Sequence, residues 1–266
     1  MAKFDGKHFR GVAGPVIFKT YRGQQLATSK PKFNPQKQTK ESKASASLFG
    51  KASNLAASFR AELSPLIIKL YDGGMINRLN TETMYCLNQA INKKTQTFHF
   101  EENSFQRLNG FEFNNQALLR NNFLVQPQTE LSGNILSVKI PEMHLPGDLT
   151  YPKGCTTCVV AIEVAMFDLV NGKRSRCPIQ FTEIETNHKD KVIEPVQFDF
   201  EIERGCLCVI MFALQYTKAA FAGTMLLNTK EFNPTAILKA FIVPGEVDVS
   251  KTKKWKEMKF KNTYEE

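Results

Sequence analysis

No apolar run in this chain of 266 residues reaches the roughly 18 residues that a membrane-spanning helix needs. The densest stretches are Cys158–Val170, interrupted by Glu163 and Asp168, and Cys206–Leu214; both read as buried strands. Residues 1–8 hold no apolar segment of the secretory kind, so the expected location is the cytoplasm, with the six cysteines as reduced thiols. The chain also lacks a Gly-x-Ser-x-Gly elbow, a Walker loop, a Gly-x-Gly-x-x-Gly turn and a His-Glu-x-x-His pair. Its four histidines are His8, His99, His144 and His188, and none is spaced with another as a metal-ligand pair. His188 and Asp190 read as a solvated turn, because no nucleophile or orienting group accompanies them. A non-enzyme without metal or cofactor is therefore expected. No helix-turn-helix, zinc-finger or RNA-recognition signature is present, and no repeat period suggests a solenoid or propeller.

Acidic residues are almost missing from the first sixty positions, where twelve Lys and Arg face only Asp5 and Glu41. The other 206 residues are balanced, with 23 basic and 24 acidic side chains. A basic arm on a near-neutral body points to an anionic or assembling partner. Within the arm, residues 1–38, two short runs (Val16–Tyr21 and Gln24–Thr28) flank Arg22-Gly23 and predict a hairpin. Val16, Phe18 and Thr20 fall on one face, and Ile17, Lys19 and Tyr21 on the other. A lone hairpin is marginal in water, and ordering costs about 1–2 kcal/mol of backbone entropy per residue. If ordered, the arm must lie on its own body, a second copy or another partner.

Residues 39–94 read as helical. Leu48, Ala52, Leu55, Phe59 and Leu63 recur at spacings of four, three, four and four, with Thr39 as N-cap. Alanines at 44, 46, 52, 56 and 57 keep this helix slim enough for close approach. Ser64-Pro65 starts a second helix over Leu66–Tyr71, with Ser64 as its cap, and Asp72-Gly73-Gly74 stops it. A third helix is expected over Thr81–Asn92, with Met84, Leu87 and Ile91 on one face.

From Thr95 the pattern turns to strands: Thr97–Glu101, Gly110–Phe113, Asn134–Ile140, Thr157–Leu169, Val192–Glu201, Gly205–Tyr216, Phe221–Asn228 and Ile237–Val243. Val196, Phe198 and Phe200 alternate with Gln197, Asp199 and Glu201, as in an antiparallel sheet with one wet face. The expected fold class is α+β: a basic hairpin arm and short helices, then an antiparallel β-sandwich of Ig-like or jelly-roll-like kind over 95–248. The lysine-rich tail, 249–266, frays unless Trp255 and Phe260 anchor it.

Two cysteine pairs pose a metal question. Cys155-Thr156-Thr157-Cys158 has the spacing of half a zinc knuckle, and Cys206 and Cys208 face one side of a strand. Four thiolates would converge only if the strands paired in the right register. The second pair is Cys-x-Cys, so structural thiols are the expected reading.

Two functions suit the arm. Nucleic-acid binding would use the ladder Lys30, Lys32, Lys37, Lys40 and Lys43 with Tyr21 and Phe33 for stacking, and affinity would fall with salt at a log–log slope of about −0.9 per phosphate contact on duplex DNA. The preferred reading is self-association, or docking on a protein partner, through the hairpin (Lys19, Tyr21, Arg22) and the helix stripe (Leu48, Leu55, Phe59).

The run Gly11-x-x-Gly14-Pro15-Val16, then Tyr21-Arg22-Gly23, Gln38-Thr39-x-x-Ser42-x-Ala44-Ser45 and Phe49-Gly50-x-Ala52-Ser53 resembles the N-terminal signature of an uncharacterised family of Bacteroidota proteins. That family usually reads Gly-Pro-Val, a Trp/Tyr-Lys/Arg-Gly turn, an Arg-x-x-Pro segment and a Gln-Thr…Ala helix. Ser29-Lys30-Pro31 departs from the Arg-x-x-Pro pattern. The resemblance covers about the first 60 residues. It implies a bacterial protein of two-part architecture and brings no activity or site residue with it.

Overall fold

A computed structural model describes residues 2–31, 39–92, 94–186, 191–221 and 223–262. The chain divides into two compact units, Met1–Ser45 and Ala46–Glu266.

The first unit is a four-stranded antiparallel meander: β1 (Lys3–Phe4), β2 (Phe9–Ala13), β3 (Val16–Tyr21) and β4 (Gln24–Ser29), in that order. The expected hairpin is β3–β4, closed with Tyr21 opposite Gln24. Arg22 (φ +50°) and Gly23 (φ +78°) both take the positive φ that a two-residue type I′ turn requires. Sequence pattern alone misses β1 and β2. Lys3–Phe4 is too short to show alternation, and Gly11 (φ +107°) breaks the run of β2. Asp5 shapes the β1–β2 turn by accepting from the Lys7 and His8 N–H groups at 3.2 and 2.7 Å.

Helix α1 (Lys40–Glu62) is capped as expected, with Thr39 Oγ1 accepting from the Ser42 N–H at 3.1 Å. Ser64 caps nothing. Leu63 holds the cap position of the short α2 (Ser64–Ile67), and the Ser64 hydroxyl donates to the Ala61 carbonyl at 3.0 Å. The second helix stops early because Ile68 and Lys69 enter the left-handed region. α3 (Met75–Ala90) begins six residues before the expected Thr81, and its buried side includes Met75, Leu79, Thr83, Cys86 and Leu87. Thr97–Glu101 and Gly110–Phe113 form no strands; each contributes one isolated bridge, Phe98 to Ile91 and Glu112 to Ala236. A short α4 (Leu119–Asn122) precedes the main sheets.

Those sheets use β5 (Gln128–Ser132), β6 (Ile135–Ile140), β7 (Met143–His144), β8 (Thr157–Asp168), β9 (Lys173–Arg176), β10 (Gln180–Glu185), β11 (Val192–Ile193), β12 (Val196–Glu201), β13 (Leu207–Ala220), β14 (Gly223–Leu226) and β15 (Thr235–Ile242), then α5 (Val249–Thr252) and β16 (Lys256–Glu257). β8 and β13 pair at the centre of a seven-stranded sheet. β15 and β14 share the outer side of β13, while β10 and β9 share that of β8, and β16 adds to β9. A three-stranded sheet, β12-β6-β5, and the short pair β11-β7 complete the set, and every pairing is antiparallel.

The α+β expectation with antiparallel sheets therefore holds. Cys158, Val160, Ile162, Val164 and Met166 of β8 join Leu136, Val138, Phe198 and Phe200 of the three-stranded sheet in one core. Ala161, Ala165 and Phe167 point the other way, into a second core with Leu55, Phe59, Leu79 and Leu87 of the helices. Expecting a sandwich alone leaves out this helix layer. With both faces covered, β8 and β13 must be apolar on both sides, which is why they read as nearly unbroken hydrophobic runs. The tail is held as far as the described residues go, since Met258 and Phe260 are buried and Trp255 packs on the sheet core.

Candidate functional site

The arm's sheet is ordered, yet none of its described residues, 2–31, is buried. One surface carries a ladder of rings, Phe4–Phe9 at 4.8 Å and Phe9–Phe18 at 5.6 Å. Phe4 and Phe9 remain 59% and 49% exposed. The Gln25 side chain locks Phe9 in place, accepting from its N–H at 2.8 Å and donating to its carbonyl at 2.9 Å. Lys19 and Tyr21 alternate with Phe18 along β3, and the Arg22 guanidinium lies over the Tyr21 ring at 5.2 Å. Six cations of this segment (Lys3, Lys7, Arg10, Lys19, Arg22, Lys30) stand against Asp5 alone. Asp5 is already engaged by its turn and by Arg10 at 3.2 Å. The backbone N–H groups of His8 and Lys7 hold its carboxyl below the usual range.

The structure separates the expected contact residues. Lys19, Tyr21, Arg22, Lys30, Lys40 and Lys43 are exposed. Lys32, Phe33 and Lys37 lie outside the described residues, as do His188 and Asp190. Leu55 and Phe59 are completely buried, with Phe59 edge-on to Phe167 of β8 at 4.9 Å, and Leu48 packs half-buried on the same core. The alanine-rich stripe therefore serves the chain's own sheet and offers no second contact surface.

The cysteine pairs stay apart. Cys158 stands opposite Tyr216 and Cys208 opposite Met166, eight residues away along the ladder, or about 26 Å at strand rise. All six thiols are free, and among the described residues no three His, Cys, Asp or Glu side chains gather as metal ligands. Burial pushes the thiols of Cys86 and Cys177 up, to about 12 and 11.

Two adjoining hollows open beside α3 and α4. The larger, about 670 Å³, is polar and is bordered by Arg78, Arg107 and Arg120. Two of these guanidiniums are already paired: Arg78 with Asp72 and Arg107 with Glu82, each at 2.8 Å. The smaller, about 390 Å³, shares Asn109, Gly110, Glu112 and Arg120 with it but is otherwise mainly apolar. Burial raises the Glu112 carboxyl, against hydrogen bonds from the Leu119 and Arg120 N–H groups.

Sequence reading also missed a buried charge cluster where α1 ends against β8, β9 and β16. Glu62 and Glu163 are both buried, and Arg174 reaches Glu62 at 3.4 Å while Arg176 reaches Glu163 at 3.2 Å. Arg176 also donates to the Glu62 carbonyl at 3.1 Å, and Lys256 lies 3.7 Å from Glu62 Oε2. Burial is the main force on Glu163 and lifts its pKa to about 7, against the pull of Arg176. The sign of this cluster is the pair of acids interrupting the apolar run of β8. The second, Asp168, has a local structural role, accepting from the N–H groups of Val170 and Asn171 and from the Thr252 hydroxyl.

No helix among the described residues is long and apolar enough to cross a membrane. Comparison with protein-family models, curated proteins and solved structures finds no match, so the functional reading rests on the geometry above.

Proposed function

We propose that this is a non-enzymatic assembly protein whose N-terminal sheet docks on a protein surface, first of all on another copy of itself. One observation carries the reading: four paired strands with a phenylalanine ladder, and no buried residue among the described positions 2–31. Small sheets gain independent stability by covering an apolar face, so the ring ladder is the surface that asks for a partner. The six free thiols support a cytoplasmic setting. Two antiparallel sheets sharing one core support a sandwich-like body over 95–248. Removing residues 1–38 should lower the molar mass in light scattering and leave the body folded; an unchanged mass would overturn the reading.

A second reading, binding of nucleic acid, draws on the uncompensated cations and on Arg22 stacked over Tyr21. A labelled oligonucleotide titrated at two salt concentrations tests it. Binding that weakens steeply with salt supports this reading, and no binding at low salt removes it.

A further inference from the structure

Strand β13 outruns its neighbours. Its pairing with β8 ends at Thr217 opposite Thr157, and from Lys218 onward only β14 accompanies it. Every described residue from Lys218 to Leu226 is exposed, and Phe221 at the tip is wholly so. Met225 and Leu226 add further exposed apolar surface. Lys218 is the segment's one charged residue. Alanine and glycine at 219, 220 and 223 are weak strand formers, so intrinsic preference does little to hold this two-stranded finger.

The same strand lines a hollow of matching character. Phe212 of β13, with Leu119, Phe123, Leu124 and Leu238, walls the groove of about 390 Å³, and Leu124 at its rim is 55% exposed. Nine residues separate Phe212 from Phe221, about 30 Å along an extended strand, so a finger cannot reach the groove of its own chain. We propose that the Phe221 finger of one copy seats in the Phe212–Leu124 groove of the next. The uncharged tip suits a carbon-lined wall, and Lys218 at the finger's base complements Glu112 at the groove's edge. The contact joins two different surfaces, so copies add head to tail into a ring or an open chain. A nine-residue finger covers less than the roughly 800 Å² per partner of a standard stable interface. This inference thus rests on the assembly reading, with the arm supplying a separate contact.

The test uses the full chain. Phe221→Asp should weaken self-association in sedimentation velocity by about tenfold or more, with an unchanged circular dichroism spectrum because the side chain touches no core. Under mild oxidation, Phe221→Cys mixed with Leu124→Cys should give a disulfide-linked pair of the two variants, distinguishable on a mass spectrum from either homodimer. Unaltered sedimentation of Phe221→Asp, failure of the mixed cross-link, or a monomeric parent protein at all concentrations overturns the finger contact. Removal of residues 1–38 separates the two contacts. Loss of association on arm removal alone, with Phe221→Asp unaffected, keeps the arm and discards the finger; the opposite pattern keeps the finger.

Discussion

Glu163 and Arg176 meet at 3.2 Å through one carboxylate oxygen, Oε1, while the other, Oε2, is buried without a hydrogen-bond partner. The pair is thus half satisfied. Its carboxyl is fully enclosed while the Arg176 side chain keeps 38% of its exposure, and Glu62 adds a like charge nearby. An ion pair of this kind does not offset the whole cost of removing the carboxylate from water.

That geometry gives stability a definite pH dependence. The Glu163 carboxyl titrates at about 7 in the folded chain against an ordinary 4.5, so folding favours its protonated form. The contribution is fully present below about pH 4.5 and is lost as pH rises through about 7, a swing of about 2–4 kcal/mol. Glu163→Gln should remove the loss, leaving a variant more stable than the parent at pH 8 and nearly equal to it at pH 4.5. Urea unfolding across that range checks it. Equal destabilisation at both ends would mean that the ion pair outweighs its desolvation.

Asp72 gives the opposite slope. Burial alone would raise its carboxyl, but Arg78 Nη1 and the N–H groups of Asn115 and Gly74, at 2.7–2.9 Å, carry it down to about 2. Its contribution is present above about pH 4 and is lost as pH falls through about 2. Asp72→Asn should cost about 2 kcal/mol at pH 7, and the gap to the parent should close on acidification. A gap that stays constant down to pH 2 would show that the loop before α3 is held by something else.

Phe59 separates packing from assembly. It is fully buried against Phe167, so Phe59→Ala should destabilise the body by about 3–5 kcal/mol. Conditions that keep the variant folded should leave its oligomeric state as in the parent. A changed mass with little loss of stability in thermal unfolding would return the α1 stripe to the contact surface.

Some of this is legible in residues. The stripe from Leu48 to Leu63 and the Arg22-Gly23 turn are local patterns, and local geometry obeys them. The sequence places the start of α3 six residues late because Asn77 and Asn80 are weak helix formers and Gly74 precedes them; Met75 and Leu79 are helical because the core covers them. β9 is invisible to pattern. Its sequence, Lys-Arg-Ser-Arg, has no apolar face, and it is a strand because Arg174 and Arg176 must reach Glu62 and Glu163. The groove joins segments more than a hundred residues apart, from Asn109 to Leu238, so no window of sequence contains it.

The thiols offer a test of the two cores without a mutation. Cys155 is half-buried, and its Sγ donates to the Thr157 carbonyl at 3.3 Å; the other five cysteines are buried. Burial pushes the thiols of Cys158, Cys206 and Cys208 well up, and the thiolate is the reactive form. A thiol reagent at neutral pH should therefore modify one cysteine in the folded chain, at position 155, with the rest reacting only after denaturant is added. Peptide mapping of the modified protein checks the position. Early labelling at 206 or 208 would mean that the centre of the large sheet opens under native conditions, contrary to its place between two covered faces.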